Sequence, residues 1–81
     1  VKLTRQHAPY VLTKPLHRSQ QTEEVFEDGS AIVSIRVIPN FELERLLLGF
    51  GPGLEVLAPR GLRRRIADLL QGASAQYDEK E

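Results

Sequence analysis

The segment Ala31-Ile32-Val33-Ser34-Ile35-Arg36-Val37-Ile38 constrains this chain more than any other. Ala31, Val33, Ile35 and Val37 alternate with Ile32, Ser34, Arg36 and Ile38, the period of two that belongs to a β-strand. Six of the eight residues are apolar, so both faces avoid water and the strand belongs in the interior of a sheet, with a neighbour on each side. Asp28-Gly29 stands just before it, a pair that readily takes the positive φ angles of a tight turn. The segment Glu23 to Glu27 is therefore the first arm of a hairpin. Its acids, Glu23, Glu24 and Glu27, suit an edge strand, where charge discourages pairing with another molecule. The remaining neighbour of Ala31–Ile38 must come from elsewhere in the chain.

Val1, Leu3 and Arg5 alternate with Lys2, Thr4 and Gln6, which predicts a half-buried strand over residues 1–6. From His7 the period lengthens: Ala8, Val11, Leu12 and Leu16 recur at helical spacing, Pro9 suits a first turn, and Pro15 discourages continuation. Pro39 ends the central strand and Asn40 is a good N-cap for a helix over Phe41–Phe50, with Leu43, Leu46, Leu47 and Phe50 on one stripe. Gly51, Pro52 and Gly53 stop that helix, Leu54 to Leu57 reads as a short strand, and Pro59 closes it. Leu62, Ile66, Leu69, Leu70, Ala73 and Tyr77 fall on one stripe of a third helix, and Asp78–Glu81 is a charged, disordered tail.

This order predicts an α+β fold: a ferredoxin-like β-α-β-β-α-β sandwich with a four-stranded antiparallel sheet plus a C-terminal helix, one domain over residues 1–77. Both crossover helices share one face of the sheet. The other face presents Ile32, Ser34, Arg36 and Ile38, and its apolar part calls for cover by the third helix, a neighbouring domain or a second subunit.

Composition narrows the function. A chain of 81 residues buries only about 60–65% of its unfolded surface and cannot also enclose a flavin or dinucleotide; no cofactor is expected. Eleven basic and eleven acidic residues cancel, so contact with nucleic acid or membrane cannot rest on net charge. The absence of cysteine removes disulfides and thiolate metal sites and fits a cytoplasmic protein. No apolar run is long enough to span a bilayer and nothing resembles a signal peptide. The chain lacks methionine and opens inside a strand pattern, so it is expected to be part of a longer protein.

The candidate sites each have an ordinary alternative. Gly49-Phe50-Gly51-Pro52-Gly53 follows a helix and leads to a strand, the reverse of a phosphate loop, so it reads as a helix stop. Arg60, Arg63, Arg64 and Arg65 crowd the start of the third helix, where a cation costs about 0.3–1 kcal/mol against the helix dipole. With the free N–H groups of the first turn they could hold an anion; alternatively they are a solvated face, partly paired with Asp68 or with the acids at Glu23 to Asp28. His7 and His17 are the only histidines, and two ligands do not make a metal site. The stretch Pro15-Leu16-His17-Arg18-Ser19-Gln20 is rich in hydrogen-bonding groups and serves either ligand contact or capping. Phe41 and Leu48 lie off the main stripe of the second helix, marking either a partner surface or packing under the C-terminal segment. No nucleophile elbow or acid/base carboxylate pair is present, so catalysis is not expected.

Pro15-Leu16-His17-Arg18-Ser19-Gln20, the turn Glu27-Asp28-Gly29-Ser30, Val37-Ile38-Pro39-Asn40, the run Glu42 to Gly51, and Leu54-Glu55-Val56-Leu57-Ala58-Pro59 with Leu62-Arg63 together resemble the C-terminal extension, often called WCX, of bacterial WYL-domain transcription regulators. The resemblance runs from the first strand to Tyr77. Its most specific parts are His17 with Gln20 and the run from Leu43 to Pro59; family members often carry tryptophan where this chain has Leu46. It implies a parent protein with a DNA-binding winged helix-turn-helix, an effector-sensing WYL barrel and this ferredoxin-like extension, which helps bring subunits together and transmit effector binding. Some such regulators respond to single-stranded nucleic acid.

The expected function is thus a non-enzymatic, cytoplasmic regulatory and dimerisation module. Its expected partners are a second copy and the WYL and helix-turn-helix domains of the parent chain, with DNA bound by the parent and no membrane. Ile32, Arg36, Ile38, Phe41 and Leu48 are the candidate interface. His17, Arg18, Gln20, Arg60, Arg63 and Arg64 are the candidate contacts to a nucleic-acid or nucleotide effector. Two rivals from other classes stand beside it: a small-molecule-binding regulatory domain of a metabolic enzyme, which fold alone does not separate, and acylphosphatase-like hydrolysis, for which Arg18 and Asn40 are the only candidate groups.

Overall fold

Leu3 lies across from Ala31 on one side and from Leu54 on the other, and this three-residue row is the centre of the molecule. The computed structural model describes residues 1–78. Its elements are β1 (Lys2–Leu3), α1 (Ala8–Thr13), β2 (Gln21–Val25), β3 (Ala31–Ser34), α2 (Phe41–Leu48), a 3-10 turn (Gly51–Gly53), β4 (Leu54–Glu55) and α3 (Arg60–Ala75). The strands form one antiparallel sheet in the order β2-β3-β1-β4. With α1 joining β1 to β2 and α2 joining β3 to β4, this is the ferredoxin-like arrangement.

Alternation sends Leu3, Ala31 and Val33 to one face, where they pack with Ala8 and Val11 of α1. Val56, Leu43 and Leu47 of α2 and Ile66 of α3 form a second cluster beside the first, with Val1 and Leu54 touching both. The two helices therefore share a face, as the pattern predicts. The hairpin forms around the expected Asp28-Gly29 turn, with its first arm over Gln21–Val25 rather than Glu23–Glu27. Phe26 N–H donates to Ser30 O (2.8 Å), Gly29 N–H donates to Phe26 O (3.0 Å), and Gly29 takes φ +93°, a backbone region that only glycine enters freely. The Asp28 carboxylate accepts from the Ser30 hydroxyl (2.6 Å) and N–H (2.9 Å), and these bonds, the hydroxyl first, hold its pKa below the usual value. Asn40 caps α2 by accepting from Leu43 N–H (2.8 Å). Gly72 does not interrupt α3, which continues to Ala75.

Several boundaries differ from the sequence pattern. β1 ends at Leu3 rather than at Gln6 because the Thr4 carbonyl accepts from His7 N–H (3.0 Å) and Ala8 N–H (2.8 Å), which turns the chain into α1. β3 stops at Ser34 and β4 at Glu55, short of Ile38 and Leu57; past Ser34 the main chain of Arg36 bonds the Ser19 side chain instead of a strand. α2 ends at Leu48 rather than Phe50, and Gly51 follows at φ +55°. A bulge between Thr22 and Glu24 lets Glu23 accept from the Ser34 hydroxyl (2.6 Å).

The third helix does not cover the second sheet face. It packs on α2 and along β4, with Leu62 and Ile66 in the second cluster and Arg65 Nε donating to Glu44 (3.0 Å). That placement also corrects the reading of α2. Leu48 is half-buried against the second cluster rather than a free surface residue, while Leu46, expected in the core stripe, is exposed. The distal part of the α3 stripe is exposed at Leu70 and Tyr77, since the sheet ends before it. Of the expected tail, Glu79, Lys80 and Glu81 lie outside the described residues.

Candidate functional site

The loop between α1 and β2 is held by its own side chains. Gln20 Oε1 accepts from Leu16 N–H (2.9 Å) and its Nε2 donates to Val11 O at the end of α1 (3.1 Å). Gln20 N–H closes the turn by donating to His17 O (2.9 Å). Both polar ends of the Gln20 side chain are thus consumed by main chain, which makes it a clamp on the loop rather than a ligand contact.

Ser19 joins that loop to the end of the central strand. Its Oγ accepts from Arg36 N–H (2.7 Å), approaches Arg36 O (3.2 Å), and lies 2.8 Å from His17 Nδ1. Ser19 N–H also donates to His17 Nδ1 (3.1 Å). With Nδ1 accepting from the Ser19 N–H, the neutral ring carries its proton on Nε2. In the sequence Ser19 is one member of the polar stretch Pro15–Gln20, and a serine in a polar loop has no pattern that singles it out. Its role appears only when Arg36, 17 positions on, arrives beside it.

His17 and Arg18 then stand on the wall of an open cavity of about 590 Å³, whose other side is Ile38 and the first turns of α2 with Glu42 and Leu46. Ile38 (84% exposed) and Phe41 (76%) are the most exposed apolar side chains near it. Among the described residues Arg18 and Arg36 enter no ion pair. The cavity therefore combines an apolar rim, free guanidinium groups and one histidine N–H, a set suited to an amphipathic anion or to an apolar partner surface.

The arginines of α3 are largely spoken for. Arg63 donates to Glu55 (2.7 Å) and to Val56 O (2.9 Å), and Arg64 lies 3.7 Å from Asp68. The acids at Glu23 to Asp28 are not their partners. Arg60 alone of the cluster carries no ion pair among the described residues. The two halves of the predicted anion site are not united: His17 and Arg18 line the cavity just described, while Arg63 lines a separate one beside β4. Ile32 lies on the second sheet face with Ser34, Lys2 and Glu55 across the strands, whereas Ile38 has moved past the sheet's end to the α2 cavity.

His7 packs edge-on to Phe50, with ring centroids 5.5 Å apart. Among the described residues no three His, Cys, Asp or Glu side chains gather as a metal site, and no helix is long and apolar enough to cross a membrane.

No curated protein sequence matches the chain. A family model, described as the WCX domain, matches residues 1–74. A match over nearly every element of the sheet and helices, on a fold with the expected strand order, settles the relationship: the chain belongs to the WCX domain family.

Proposed function

We propose that this domain is a non-enzymatic regulatory module of a bacterial WYL-type transcription regulator, bringing subunits together and relaying effector binding to the DNA-binding part of its parent protein. The match to the WCX family over residues 1–74 carries this reading and favours it over a regulatory domain of a metabolic enzyme. Ile38, which lines the same cavity as Arg36, and Phe41, the first residue of α2, are both exposed apolar side chains and support a contact surface at the start of α2. Ile32 extends the candidate surface onto the sheet, and Leu48 leaves it for the core. Changing Ile38 and Phe41 together to aspartate in the parent protein will weaken self-association at least about tenfold, a loss of roughly 1.4 kcal/mol, as read by sedimentation equilibrium. Unchanged assembly with retained fold rejects the surface.

An anionic effector, nucleic acid or nucleotide, is assigned to His17 and Arg18 at the cavity. Titration of the parent protein with short oligonucleotides at two salt concentrations tests this. Removal of Arg18 will lower affinity and reduce the salt slope by about 0.7–1 per lost phosphate contact. An affinity and slope equal to those of the parent would remove the nucleic-acid effector from the reading, while leaving the assembly role to the first experiment.

A further inference from the structure

The sheet turns one face to the helices and leaves the other open, and the strand register fixes what stands on the open face. Leu3, Ala31 and Val33 point to the core, so their neighbours Lys2 and Ile32 point outward. Ile32 lies across from Lys2 on one side and from Glu24 on the other, which sets Glu24, Ile32 and Lys2 in one row across β2, β3 and β1. Glu24 and Lys2 are exposed and Ile32 is half-buried. Glu23 joins the acid end of the row, since its carboxylate accepts from the Ser34 hydroxyl (2.6 Å) on the same face. Glu24 and Lys2 stand two strands apart, about 10 Å, and among the described residues neither enters an ion pair. Lys2 Nζ lies over the Phe26 ring, 5.1 Å from its centroid, a contact that orients the ammonium without neutralising it. Beyond Lys2 the row ends at Glu55, which Arg63 neutralises (2.7 Å). The row therefore reads acid, apolar, base, with the apolar residue at its centre.

We infer that this face receives the same face of a second copy, packed about a two-fold axis that runs along β3 over Ile32. A rotation about that axis exchanges the two ends of the row. Glu24 then meets the partner's Lys2, Lys2 meets the partner's Glu24, and Ile32 meets the partner's Ile32, the reciprocal pattern of an isologous contact. A two-fold axis laid across the strands instead sets Lys2 on the partner's Lys2 and Glu24 on the partner's Glu24, an arrangement that like charges oppose. Stacked sheets stand about 10 Å apart, a gap that a lysine and a glutamate span end to end while the two isoleucines fill its middle. The row thus selects the partner as well as the orientation. A face of one sign would call for a different molecule, whereas a row whose two ends carry opposite charge complements itself. The inference rests on the assembly role proposed above for the presence of a second copy; its register rests on the strand ladder alone and uses a different face from Ile38 and Phe41.

The test is sedimentation equilibrium of the 81-residue chain and of two charge reversals, Lys2→Glu and Glu24→Lys. Both positions are exposed, so the fold is retained, as thermal unfolding of each variant will show. Each reversal alone sets like charges together twice in the dimer and is expected to weaken self-association at least about tenfold. An equal mixture of the two variants is expected to recover association to within about threefold of the unaltered chain, because every contact between unlike chains again joins opposite charges. The double reversal, Lys2→Glu with Glu24→Lys in one chain, is expected to recover it likewise. Recovery in the mixture cannot arise from a change confined to one chain, which separates a contact between copies from an effect on the fold. Reversals that associate as strongly as the unaltered chain, a mixture no stronger than its components, or a chain still monomeric at about 1 mM each overturn the inference. Each leaves the regulator reading to the Ile38 and Phe41 experiment in the parent protein.

Discussion

Leu3→Ala is expected to destabilise the fold by roughly 2–5 kcal/mol, against a total of about 4–12 kcal/mol for a domain of this size. Leu3 is fully buried. It is flanked by Ala31 and Leu54 across the strands and joins Ala8, Val11 and Val33 in the first cluster. Its neighbours cannot close the gap, because β1 is pinned on both sides by strand pairing, so the lost methyl groups leave a cavity at the centre of the sheet. Urea unfolding will show the midpoint falling steeply or the native baseline vanishing at 25 °C. The matching truncation at Leu70, which is 40% exposed, should cost less than about 1 kcal/mol. A loss at Leu3 no greater than that at Leu70 would mean the centre of the core lies elsewhere.

Gly53→Ala comes second, at about 1–3 kcal/mol. Gly53 is buried, and a methyl group there would overlap Cδ2 and Nε2 of the His7 ring. That ring is not free to swing away without loss, since it packs edge-on against Phe50 at 5.5 Å just before α1. The obstruction is one side chain, which makes the prediction sharp: in the His7→Ala background, Gly53→Ala should become nearly neutral. A double-mutant cycle by urea or thermal unfolding reads the coupling, and simple additivity of the two losses would refute the contact. Gly72→Ala is the control. A Cβ there meets nothing within 4 Å, and alanine in mid-helix should stabilise by about 0.5–1 kcal/mol.

The parts of this fold that were legible in the sequence share a physical character. Asp28-Gly29, Asn40 and the alternation of Ala31 to Val37 act over one to four residues, and the turn, the cap and the buried face follow wherever the chain places them. The candidate site was legible only in part. His17 and Arg18 do stand at a cavity, but Gln20 spends its amide on Leu16 and Val11, and nothing in the polar stretch marks Ser19 as the residue that ties the loop to Arg36. Charge pairing was least legible: Arg63 meets Glu55 and Arg65 meets Glu44, because α3 runs along β4 and α2 rather than across the open sheet face. The same displacement exchanges the expected places of Leu46 and Leu48.

Sequence by itself determined the order of strands and helices, the side of each that seeks the core, and the family resemblance, since periodicity, caps and turn residues are local properties of the covalent chain. Only the tertiary structure decided how far each helix extends, where α3 lies and which arginines are neutralised. Those outcomes depend on which separate elements become neighbours, and a hydrogen-bonding or charged group declares its partner only when packing brings one within about 3 Å.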